Sequence, residues 1–117
     1  MQAAACLVYV TTPDRDTARA IASVVVAEGV AACANILPGM ESVYRWQGAV
    51  EHAQECVLIL KCLPAGFDVL SARVRALHPY EVPCIIALPV TAGLPDYLAW
   101  LAAESAGHPI APKDTRA

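Results

Sequence analysis

His78 and Glu81 stand three residues apart across Pro79 and Tyr80, and an imidazole beside a carboxylate is a pairing that binds divalent metal ions. A transition-metal site needs clustered nitrogen, sulfur or carboxylate donors. The chain carries only three histidines, His52, His78 and His108. His78 and Glu81 are therefore at best half of a four-coordinate site, completed only if another subunit adds donors. A divalent transition-metal ion is the class that such donors take. The competing reading places His78 at a helix end, where an imidazolium faces the negative pole of the dipole. Glu81 then pairs with a base such as Lys61 or Arg45. His52 falls near a hairpin tip and His108 in a C-terminal tail, and both are weaker candidates.

A second group is aromatic. Tyr44, Trp46 and Tyr80 read as aromatics of neighbouring strands, with Tyr80 and Glu81 near the hairpin of another subunit. Such rings most often pack in a core or an interface. They can also wall a small-molecule cleft between subunits, with Lys61, His78 and Glu81 supplying polarity, as sites with few polar groups commonly do. One wall can serve both purposes.

Enzyme templates are missing. The sequence contains no G-x-S-x-G, G-x-x-x-x-G-K-[ST], H-E-x-x-H or G-x-G-x-x-G. Cys33 beside Asn35 suggests a thiol nucleophile only weakly, because it sits in an apolar stretch with no nearby base. The expectation is a protein that is not an enzyme. All five cysteines, Cys6, Cys33, Cys56, Cys62 and Cys84, have apolar surroundings and form no C-x-x-C pair. They read as small buried hydrophobes in a reducing compartment.

These residues are positioned by six core elements. Leu7–Thr11 is β-branched and aromatic, a first strand. Asp14 caps a helix to Glu28, with Ala18, Ile21, Ala22, Val25 and Val26 at helical spacing and Gly29 as terminator. Val30–Cys62 is mostly extended, with Pro38-Gly39 as a bend or bulge and Gln47-Gly48 as the hairpin turn. Pro64 opens a second helix with Phe67, Leu70, Val74 and Leu77 on one face, stopped by His78-Pro79. Cys84–Val90 is a continuously apolar strand, suited to a sheet centre or a buried edge. Pro95-Asp96 starts a third helix anchored by Tyr97, Leu98, Trp100 and Leu101. The order is βαββαβ plus a helix: an α+β, ferredoxin-like split βαβ, an antiparallel sheet with helices on one face. Residues 1–105 read as one domain and 106–117 as a loose tail.

The hairpin's second arm, Ala49–Cys62, reaches about 46 Å at ~3.3 Å per residue, whereas the first helix spans only about 23 Å. The projecting part carries Val43, Tyr44, Trp46 and Val50, which calls for a second copy of the chain to cover them. Composition agrees. Apolar residues make up 57% and charged residues 16%, where about 25% charged is usual. No run approaches the roughly 18 apolar residues of a membrane span, and the start lacks the basic region of a signal peptide. Net charge is −3 without a basic cluster, which argues against nucleic acid. The expected location is cytoplasmic.

Several blocks are specific enough to indicate a family. Ala31-Ala32-Cys33-Ala34-Asn35-Ile36-Leu37-Pro38-Gly39 and Ser42-Val43-Tyr44-Arg45-Trp46-Gln47-Gly48 resemble the CutA divalent-cation-tolerance family. His78-Pro79-Tyr80-Glu81-Val82-Pro83, Leu88-Pro89-Val90, Tyr97-Leu98-Ala99-Trp100-Leu101 and Val10-Thr11-Thr12-Pro13-Asp14 resemble its other blocks, in the same order. The resemblance covers about residues 7–104. It implies a ferredoxin-like subunit in a homotrimer, related in architecture to the PII signalling trimers, and a link to tolerance of copper and other divalent cations. Some members carry a cysteine at the end of the first strand and a His-His pair before Pro-Tyr. Those positions are Val10, Leu77 and His78 here, so only His78 matches.

Overall fold

Alternation along the first strand, β1 (Ala5–Thr12), sends Cys6, Val8, Val10 and Thr12 to one face, all buried. The computed structural model describes residues 3–106. After β1 come α1 (Arg15–Ala27), β2 (Cys33–Trp46), β3 (Ala49–Cys62), a single 3-10 turn at Pro64–Gly66, α2 (Phe67–Leu77), β4 (Ile85–Val90) and α3 (Pro95–Glu104). The four strands form one antiparallel sheet in the order β2-β3-β1-β4. This is the βαββαβ arrangement expected, with an added helix.

Local chemistry sets the element ends. Asp14 Oδ1 accepts the Thr17 amide at 2.7 Å, which satisfies one of the unpaired donors of the first turn of α1. That hydrogen bond holds the Asp14 carboxyl below its ordinary pKa. Gly29, at φ +71°, terminates the helix, a left-handed position that glycine occupies without a side-chain clash. Thr12, fully buried, closes the corner between β1 and α1, its hydroxyl lying 3.0 Å from the Cys56 carbonyl and 3.1 Å from that of Asp14.

The main core lies between the sheet and α1 with α2. Ile21, Val25, Leu70 and Val74 pack on Val8, Val10, Leu58 and Leu60, and all are almost fully buried. The added α3 packs on the opposite face, where Leu101 and Leu98 meet Ala5, Ala32 and Val90. The two crossover helices thus share one face, and α3 covers one end of the other. Leu98 and Leu101 are the apolar anchors of α3, and the Tyr97 hydroxyl ties it to β3 by accepting from Lys61 Nζ at 3.2 Å. Trp100, also expected to anchor it, is exposed and leans on Tyr97 with ring centroids 5.6 Å apart. A helix turning 100° per residue cannot bring four residues within a five-residue span onto one narrow contact.

β4 is an edge strand. Ile86 and Leu88 are exposed, so its apolar run is not buried within the single subunit. Pro89 fits there, since an edge strand tolerates a missing donor. The thiols follow the expectation in part. Cys6, Cys56 and Cys62 are buried, Cys33 and Cys84 half-buried. Burial pushes the Cys62 thiol up to about 11, which keeps it protonated and unreactive. The expected tail lies, beyond Ala106, outside the described residues, as does His108.

Candidate functional site

β1 pairs with β3 only over Cys56–Cys62, so Ala49–Glu55 is held by β2 alone. The free part of this hairpin ends in Gln47-Gly48, both at positive φ, as a two-residue hairpin turn requires. Its exposed residues are the ones expected to need cover: Val43 (65% exposed), Val50 (60%), Tyr44 and Trp46.

One irregularity decides which of them share a face. The register runs Leu37 opposite Val57, then Met40 opposite Glu55, so two residues on β2 face one on β3. This is a β-bulge at Pro38-Gly39, with Gly39 at φ +83°. Side chains alternate with a period of two, so one extra residue exchanges the faces of everything after it. Met40, Ser42, Tyr44 and Trp46 therefore point to the side that carries Glu55, Ile59 and Tyr9. The Tyr9 hydroxyl donates to Met40 Sδ at 3.4 Å across that face.

The result is an open cleft of about 650 Å³ between the hairpin and the loop after α2. Four aromatic rings line it, Tyr9, Tyr44, Trp46 and Tyr80. Its charged lining consists of Glu41, Glu55 and Glu81, with no lysine, arginine or histidine. Glu55 is 9% exposed and accepts the Tyr80 hydroxyl at 2.7 Å through Oε2. Burial first, then this hydrogen bond and the carboxylate's charge, push the Tyr80 hydroxyl far above the ordinary tyrosine range. Tyr80 consequently stays a protonated donor at neutral pH.

His78 has a different task from the one its spacing suggested. It is 8% exposed. Nδ1 accepts the Tyr80 amide at 3.1 Å, which leaves Nε2 as the protonated nitrogen, donating to the Thr11 carbonyl at 2.7 Å. Both nitrogens are thus used to tie the loop to β1, and neither is left to bind a metal ion beside Glu81. The ring also packs on Tyr80, centroids 4.7 Å apart. Glu81 lies on the cleft, exposed, and pairs with neither Lys61 nor Arg45. Among the described residues no group of three or more His, Cys, Asp or Glu side chains is arranged to hold a metal ion.

Lys61 also lies apart from the cleft. It is six residues from Glu55 along β3, about 20 Å at ~3.3 Å per residue, and its Nζ donates to the Tyr97 hydroxyl at 3.2 Å. That bond, opposed by desolvation, raises the Lys61 pKa. Tyr44, Trp46, Tyr80 and Glu81 therefore meet within one chain, where a cleft between subunits was expected, and His78 and Lys61 do not line it. Glu55, Tyr9 and Met40 were not singled out from the sequence. The alternation Glu55, Val57, Ile59, Lys61 along β3 was the available signal for Glu55.

The same architecture occurs in solved structures. The CutA1 divalent cation tolerance protein of Thermus thermophilus superposes with a TM-score of 0.84 at 46% identity, covering 86% of this chain and 98% of that one. In sequence, the Thermus thermophilus divalent-cation tolerance protein CutA is 50% identical over 95 residues, 81% of this chain and 92% of the relative. The chloroplastic CutA protein of Arabidopsis thaliana is 46% identical over 95 residues, and there the match spans only 52% of the longer relative. The family model described as CutA1 divalent ion tolerance protein matches residues 6–104, from the core strand β1 through the hairpin and the His78–Pro83 loop to α3. With every described element but the first residue of β1 inside that match, the chain belongs to the CutA1 divalent ion tolerance protein family.

Proposed function

We propose that this protein acts in divalent-cation tolerance as a non-enzymatic homotrimer whose hairpins cover one another. The observation that carries the reading is the apolar surface left open by a single subunit. Val43, Tyr44, Trp46 and Val50 on the hairpin and Ile86 and Leu88 on the edge strand are all exposed, a larger number than scattered surface hydrophobes account for. Family membership supplies the link to divalent cations. Five free thiols suit a reducing compartment, and a cytoplasmic location belongs to the reading. No helix among the described residues is long and apolar enough to cross a membrane.

Sedimentation equilibrium tests the assembly: the mass should be three times 12.3 kDa. Trp46→Ala should shift the population toward smaller species, as loss of a buried aromatic anchor does. A stable, well-folded monomer would end the reading. The physiological side is tested by growth of a strain lacking the gene under excess Cu²⁺ or Zn²⁺. Tolerance equal to that of the parent strain counts against it.

A second reading is favoured by the cleft itself. Its volume of about 650 Å³ falls within the ~300–1,000 Å³ of small-molecule sites, and its lining joins four rings to a few polar groups. A small ligand seated there, at the margin of the assembly, would make the trimer a binding or signalling module.

A further inference from the structure

Burying a carboxylate is costly unless a cation or several donors compensate it. Glu55 is nine-tenths buried and receives one hydrogen bond, from Tyr80. No lysine, arginine or histidine nitrogen among the described residues lies within ion-pair distance of it; the one ion pair there is Arg73 with Glu28. Glu81 adds negative charge on the same wall, and Tyr9, Tyr44, Trp46 and Tyr80 add ring faces. Aromatic faces are negative and attract cations within about 6 Å of their centroids. The lining thus carries negative charge and π-faces with no positive group opposed to them. A metal ion would ask for clustered hard or nitrogen donors, and no such group is assembled among the described residues. An organic cation, which is bound by ring faces and one buried carboxylate, matches the lining as it stands.

We propose that the cleft between the β2–β3 hairpin and the Tyr80–Val82 loop binds an organic ammonium ion, its charge set against Glu55 and its carbon body against Tyr44 and Trp46. This inference rests on the small-ligand reading of the cleft. It supplies the ligand class, and it shares Tyr44 and Trp46 with the trimer reading, so the sedimenting mass is read beside every titration.

Three probes of nearly equal shape isolate the charge: benzylamine, cationic at neutral pH, benzyl alcohol, neutral, and benzoate, anionic. Titration calorimetry on the intact protein, with sedimentation on the same samples, should give benzylamine binding at least tenfold tighter than benzyl alcohol, and none by benzoate. Glu55→Gln should reduce the benzylamine preference to near unity while the sedimenting mass stays unchanged. Trp46→Leu, at concentrations where it remains assembled, should weaken both benzylamine and benzyl alcohol. Equal affinities for the amine and the alcohol would overturn the proposal, as would absence of binding to a preparation shown to be trimeric. So would a Glu55→Gln protein that dissociates, because the carboxylate would then be neutralised by a neighbouring subunit. A monomeric wild type would instead refute the assembly reading, and the charge series would still be read on that monomer.

Discussion

Replacing His78 by alanine tests whether this residue is a latch or a metal ligand, because the two roles predict opposite results. As a latch it makes two hydrogen bonds, Nε2–H to the Thr11 carbonyl at 2.7 Å and Nδ1 from the Tyr80 amide at 3.1 Å. Each contributes about 0.5–1.5 kcal/mol net, and a buried partner left unpaired costs about 1–3 kcal/mol. The ring is 8% exposed, so water reaches the vacated space and relieves part of that penalty. His78→Ala should therefore lower stability by about 2–4 kcal/mol. Urea unfolding followed by circular dichroism at one fixed protein concentration measures it, the concentration being held so that any self-association enters variant and wild type alike. Hydrogen exchange localises the effect: the Tyr80 amide should lose protection while core amides such as that of Leu58 follow only the global change. Cu²⁺ titration should give the same isotherm for the variant and the wild type. A stability loss below about 0.5 kcal/mol with Tyr80 still protected would refute the latch. Lost Cu²⁺ binding at undiminished stability would return His78 to the ligand set.

Two further perturbations examine the elements that shape the site. Deleting Gly39 removes the extra residue of the bulge, so Val43 and Arg45 should exchange faces with Tyr44 and Trp46. The variant should keep its strand signal in far-ultraviolet circular dichroism yet fail to assemble in sedimentation, and an intact trimer would show that the bulge does not set the face. Asp14→Ala removes the cap of α1 and should lower the thermal midpoint at pH 7. Because the fold depresses the Asp14 pKa, this stabilisation is complete above the unfolded carboxylate pKa of about 3.9 and lost as pH falls through the folded value. The gap between variant and wild type should therefore close below about pH 4. A gap that is constant from pH 2 to 7 would contradict the capping assignment.

What the sequence determined by itself was everything governed by local periodicity and turn chemistry. The spacing of Ala18, Ile21, Ala22 and Val25 placed α1, and Asp14 and Gly29 set its ends. Gln47-Gly48 set the hairpin turn and with it the long second arm, Ala49–Cys62. The need for cover over Val43, Tyr44, Trp46 and Val50 followed from that length, and the subunit leaves all four exposed. The site was legible only in part, because its members are joined by contacts distant in sequence. Pro38-Gly39 announced an irregularity, but only the pairing of Met40 with Glu55 decided that Tyr44 and Trp46 face Tyr9 rather than the opposite side. Spacing placed His78 beside Glu81, yet the Thr11 carbonyl, 67 positions away, took its Nε2. Tyr80 likewise found Glu55 rather than a neighbour in the chain. Periodicity reports which face a residue occupies within its own element. Which buried donor meets which acceptor depends on how the elements dock, and in this chain that docking turned a candidate metal ligand into a latch and left a buried carboxylate beside four aromatic rings.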